Sequence, residues 1–135
     1  MALTIRSKQK QALKAQHIAR FQDRLLAHLR KHHRARLESS DDGQVKAYIV
    51  TCQTRAATIY RLTTEQALAC YAQIPLLLGD GFEINPKYRT VVDLLGIQSF
   101  DQNIRAKMAL ASAYWVFERS PELQRAASAA SDRRG

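Results

Sequence analysis

The chain has 135 residues, two cysteines and a formal net charge of +9, enough length for one domain that buries about two thirds of its unfolded surface without metals or disulfides. No run of about 18 apolar residues is present to cross a bilayer, and an N-terminus charged by Arg6, Lys8 and Lys10 lacks the apolar block of a secretory leader, so a cytoplasmic protein is expected. Cys52 and Cys70 have neither C-x-x-C nor Cys/His ligand spacing, which excludes a disulfide framework or zinc knuckle and reads as two buried thiols.

The stretch from Arg6 to Arg36 contains no Gly and no Pro, so a helix of about 30 residues, roughly 45 Å long, is predicted there. Thr4 is placed to cap it. Arg6, Lys8, Lys10, Lys14, Arg20, Arg24, Arg30, Lys31, Arg34 and Arg36 are opposed only by Asp23, so this stretch holds the whole net charge and the remainder is electroneutral. At about 100° per residue, Leu13, Ile18, Phe21, Leu25 and Leu29 share a broad core-facing side and the arginines lie mostly opposite. All four histidines are here, with His17, His28 and His32 on the apolar side and His33 turned about 100° away.

A polar cluster from Leu37 to Gly43 ends this element and starts a second helix over Gln44–Tyr60, with Val45, Tyr48, Ile49, Cys52, Ala56 and Ile59 or Tyr60 facing inward. Thr63 with Gln66 three residues later forms a capping box for a third helix, Thr64–Leu78. Pro75 is expected to kink that helix near Tyr71, and Leu76, Leu77 and Leu78 make its end apolar all round. Gly79 stops it. Asn85-Pro86 opens a short helix with Tyr88, Val91, Val92 and Leu95 inward. Ser99 or Asp101 caps a last long helix, with Ile104, Met108, Ala111 and Trp115 as one apolar seam and Leu110, Tyr114 and Phe117 as another, broken by Pro121. The expected architecture is all-α: a single-domain bundle of about five helices over residues 1–120, then a helical turn and a disordered tail over 121–135.

His28 and His32 have the four-residue spacing of a helical metal pair, but the third ligand and base of a zinc enzyme are missing. Gly79-Asp80-Gly81-Phe82-Glu83 lacks the spaced acidic ligands of a calcium loop and reads as a cap and turn. No phosphate-binding glycine loop and no nucleophile elbow occurs. No catalytic residue, metal site or cofactor is assigned. The informative feature is the cationic face, with Arg20, Arg24, Arg30, Lys31 and Arg34 as candidate partner-binding residues for an acidic protein surface. A nucleic-acid-binding regulator using the same face is the alternative, although the aromatics that interleave with cations in single-strand binders are reduced here to Phe21.

Leu3-Thr4-Ile5-Arg6 with Gln9 and Gln11-Ala12-Leu13, then Phe21-Gln22-Asp23-Arg24-Leu25-Leu26-Ala27-His28-Leu29-Arg30, make one half of a pattern. Its other half is Ala57 and Tyr60 before Leu62-Thr63-Thr64-Glu65, then Tyr71, Leu77-Leu78-Gly79, Phe82, Asn85-Pro86 and Tyr88. In these residues the chain resembles small helical accessory proteins encoded in bacterial type VI secretion effector clusters. The resemblance covers about residues 3 to 95 and implies a non-enzymatic co-chaperone or adaptor that binds an effector, chaperone or adaptor protein and assists its loading. It implies no catalytic residue. The chain departs from the pattern at Lys31-His32-His33-Arg34-Ala35-Arg36, where an aromatic and a Pro are expected, and at Arg61, where a Gly is expected.

Overall fold

The computed structural model describes residues 2–132, with side chains described for residues 9–129. Helix is the only regular structure among them. The α-helices are α1 (Ala2–His32), α2 (Arg34–Leu37), α3 (Asp42–Tyr60), α4 (Glu65–Leu78), α5 (Arg89–Leu95), α6 (Gln102–Glu118) and α7 (Pro121–Asp132), with 3-10 turns at Phe82–Ile84 and Pro86–Tyr88. The all-α class is as expected. The two segments beyond five are α2, cut from α1 at His33, and α7.

Local chemistry sets most boundaries. The Asp41 carboxylate accepts from the Gln44 N–H and the Gln44 side chain accepts from the Asp41 N–H, a reciprocal box that starts α3. Thr64, not Thr63, caps α4 by accepting from the Ala67 N–H. The N–H groups of Thr63 and Thr64 instead donate to Gln102 Oε1 at 2.6 and 3.0 Å, tying the start of α4 to the start of α6. Asn85 accepts from the Lys87 N–H and Asp101 from the Asn103 N–H, so Asn85-Pro86 and Asp101 open their helices. Thr4, expected to cap, lies within α1, which already runs from Ala2; its side chain is outside the described set.

At the end of α3, Arg61 adopts φ 56° and ψ 39°, and the Leu62 N–H donates to Ala56 O at 3.0 Å. This is the left-handed helix ending for which Gly is the low-strain residue, because a Cβ there crowds the neighbouring carbonyl. Arg61→Gly should therefore stabilise the protein by about 0.5–1 kcal/mol despite the greater freedom of the unfolded glycine chain. A lowered urea midpoint in that variant would contradict the strain.

Helix α4 is the axis of the bundle, with every residue from Cys70 to Leu78 buried. Helix α6 makes its most extensive packing and α3 covers another side, while α5 packs on α6 and α7 on α2. Buried Leu76, Leu77 and Leu78 agree with the apolar end read from the sequence. Both cysteines are buried and unpaired.

Three burial patterns differ from expectation. Leu13 and Ile18 are 57% and 44% exposed, whereas Phe21, Leu25 and Leu29 are buried. Leu13 stands about 120° from Leu25 on the wheel, and of the two only Ile18 prolongs the buried stripe, so the front of α1 has too little apolar area to hold against the body. In α6 the buried residues are Arg105, Ala106, Ala109 and Ala113, while Ile104 and Trp115 are 47% and 59% exposed. The small residues, not the large seam, face the core. Finally, Pro121 starts a further helix of 12 residues where a turn and disordered tail were expected. Pro suits a first helical position, and half-buried Leu123 packs on the core.

Candidate functional site

From Gln9 to Arg20 every described side chain of α1 is exposed. Contact with the body begins at Phe21, so Gln9 to Arg20 stand off as an arm of roughly 18 Å at 1.5 Å per residue. Lys10, Lys14 and Arg20 lie along it with no carboxylate within ion-pair distance among the described residues. Arg6 and Lys8 fall outside the described side chains.

Where α1 meets the body its charges are put to structural use. Asp23 pairs with Lys46 of α3 at 2.9 Å, and Arg24 with Glu65 of α4 at 2.8 Å. Arg30 is a clamp: its guanidinium meets Asp42 at 2.8 Å and donates to the carbonyls of Leu37 (2.9 Å) and Ser40 (2.7 Å), fixing the turn between α2 and α3. The five candidate residues therefore separate. Arg24 is engaged by Glu65 and Arg20 stands on the arm. Arg30, Lys31 and Arg34 come together with Glu38 around an open concavity of about 590 Å³ at the α1–α2 corner. Lys31 and Arg34 are exposed there, and neither makes an ion pair among the described residues.

The histidines divide unexpectedly. His28 and His32 have ring centroids 4.3 Å apart, but no group of three potential metal ligands exists among the described residues. His33, the one expected to turn away, is 7% exposed and occupies the break between α1 and α2. Its Nε2 lies 3.0 Å from Gln73 Oε1, which also accepts from the Tyr114 hydroxyl at 3.2 Å. An amide oxygen only accepts, so the ring carries its proton on Nε2.

Burial lowers the His33 pKa, against the raising effect of the Gln73 hydrogen bond, and nearby His28 and His32 lower it further. His28 is lowered too, by partial burial and then by His32 and Lys31. The unfolded chain then takes up protons first as pH falls through about 6.5, so stability is full above that value and declines towards the lower folded pKa. Urea midpoints at about pH 7.5 and about pH 5 should differ, and His33→Gln should shrink the difference. An unchanged difference would locate the pH dependence elsewhere.

Sequence reasoning missed a second polar cluster around Glu83, in the turn read only as a cap. Glu83 Oε1 receives the Arg55 guanidinium at 2.5 Å and the Tyr71 hydroxyl at 3.2 Å, and Oε2 receives the Tyr60 hydroxyl at 2.6 Å. An acidic residue next to buried Phe82 was the available signal. The cluster borders a cavity of about 210 Å³ reached by Tyr48, Cys52, Arg55 and Asp80. Burial pushes the Cys52 thiol up to about 11, which keeps it protonated at neutral pH, and burial with the Glu83 carboxylate pushes Tyr60 and Tyr71 upward as well. No activated nucleophile results. The arrangement ties the Phe82–Ile84 turn to α3 and α4.

Comparison of the chain with protein-family models, curated proteins and solved structures finds no match. Among the described residues, no helix is long and apolar enough to cross a membrane.

Proposed function

We propose that the protein is a non-enzymatic, cytoplasmic accessory that binds an acidic surface on an effector, chaperone or adaptor of a type VI secretion system and assists its loading. The observation that carries this reading is the cationic surface left over after the fold has used its share: Lys10, Lys14 and Arg20 on the arm, Lys31 and Arg34 in the concavity at its foot. Cations of one sign without internal partners raise encounter rates with acidic surfaces and disfavour basic ones. The secretion context comes from the sequence resemblance.

Arg20→Glu/Lys31→Glu/Arg34→Glu tests the docking surface. It spares Arg30 and Arg24, whose replacement would also remove internal bonds. Helicity and melting should stay nearly unchanged, while association with acidic proteins encoded beside the gene should slow at least about tenfold at low salt. Unchanged on-rates would reject the surface. A gel-shift titration over several salt concentrations addresses the alternative: binding whose affinity falls by several phosphates' worth of counterion release would identify a nucleic-acid-binding regulator instead.

A further inference from the structure

Helix α6 is apolar on two sides, and only one of them is used. Its alanine side is buried, while Ile104, Met108, Ala111 and Trp115 recur at helical spacing on the outer side. Met108 is half-buried; Ile104 is 47%, Trp115 59% and neighbouring Phe100 47% exposed. A helix apolar all round normally has neighbours all round, so an outward seam of about three turns lacks its partner. The Trp115 ring is also held in place: the Arg119 guanidinium lies 4.1 Å from its centroid while donating to the Trp115 carbonyl at 3.1 Å. A preset aromatic loses little side-chain entropy on burial.

The charges beside the seam indicate what covers it. Lys107 and Glu118 are both exposed, make no ion pair among the described residues, and stand within about 20° of each other on one edge, three helical turns apart. An antiparallel copy of the same helix, related by a two-fold axis, keeps each edge on its own side and reverses its direction. Lys107 of each copy then meets Glu118 of the other, twice, when the axis passes near Ser112. The same register brings each Trp115 level with Ala111 of the opposite copy, a large ring against a small side chain. Charge register and size register coincide, as an isologous pair requires.

We propose that α6 is a homodimerisation helix, pairing antiparallel with α6 of a second copy of this chain through the Ile104–Met108–Ala111–Trp115 seam. One helix pair lies at the low end of specific interface sizes, so association is concentration-dependent, and the arm cations of two copies repel more at low salt. Sedimentation velocity from about 10 μM to about 1 mM at about 0.15 M salt tests it. The wild-type mass should rise towards twice the monomer, and Trp115→Ala, Lys107→Glu and Glu118→Lys should each remain monomeric while keeping their helicity.

An equimolar mixture of Lys107→Glu and Glu118→Lys should regain the dimer, because the mixed pair restores both opposite-charge contacts. A wild type monomeric throughout would overturn the proposal and leave the seam to a different protein. Association that survives all three substitutions, or a mixture that stays monomeric, would overturn it as well.

Discussion

Ala109→Leu is expected to cost about 3 kcal/mol of stability and to lower the melting temperature by about 10 °C, whereas Ala111→Leu, two residues further along α6, should change stability by less than about 0.5 kcal/mol. Ala109 is 0% exposed, as are Ala106 and Ala113 on either side, and these three residues lie on the buried side of α6, whose most extensive packing is with α4. Three more carbons at the middle of that contact must separate two helices that are fixed at other points. Gln102 ties the start of α6 to Thr63 and Thr64, and Tyr114 ties its far half to Gln73. Ala111 points to solvent and has room for a larger group. Urea unfolding of both variants at low concentration, where self-association does not contribute, gives the comparison. Equal effects at the two positions would mean that the burial assigned to the two sides of α6 is wrong.

Arg105→Ala should be comparably damaging, at about 3 kcal/mol. The residue is 6% exposed, and its guanidinium donates to the carbonyl of Tyr60 at 3.2 Å and to that of Leu95 at 2.8 Å. Those carbonyls end α3 and α5, where the helix dipoles favour a cation and the helices themselves leave the oxygens without partners. One side chain on α6 thus satisfies two helix ends. Truncation leaves both oxygens buried without a donor, at about 1–3 kcal/mol each, and adds a cavity. Nε of Arg105 has no hydrogen-bond partner among the described residues, so the clamp already carries one unsatisfied group. Both bonds leave the same Nη1 atom, and Arg105→Lys keeps the charge on a shorter stem, so it should recover only part of the loss. Full recovery by Lys would show that the longer reach of the guanidinium is not needed to hold the helix ends.

The elements were legible where local chemistry decides them. Asp41, Asn85, Asp101 and Gly79 mark helix ends through their own backbone or side-chain bonds, and the apolar run Leu76–Leu78 announced the centre of the bundle. The break at His33 had no such mark, since neither Gly nor Pro stands there. A buried hydrogen bond to Gln73, 40 positions away, holds the residue in non-helical geometry. In α6 the periodicity was real, but a helix with large apolar residues on one side and alanines on the other offers two core faces. The choice belongs to α4, whose bulky surface accepts the alanines.

The basic helix was legible as composition and not as geometry. Ten cations on one helix suggested a shared binding face through Arg20, Arg24, Arg30, Lys31 and Arg34, yet Arg24 and Arg30 meet Glu65 and Asp42 from helices that only the fold brings close. What survives of the candidate surface is Arg20 with Lys31 and Arg34. The Glu83 cluster was unreadable for the same reason, because Arg55, Tyr60 and Tyr71 converge on it from two other helices.

Trp115 is the sole tryptophan, and more than half of its surface is in water. Its emission in the isolated native chain should already sit at the red end of the indole range, so a denaturation curve followed by intrinsic fluorescence would be nearly flat while circular dichroism reports the full transition. The same indole becomes a clean optical probe of whatever comes to lie on it: a blue shift, or protection from iodide quenching, would signal contact with no label attached.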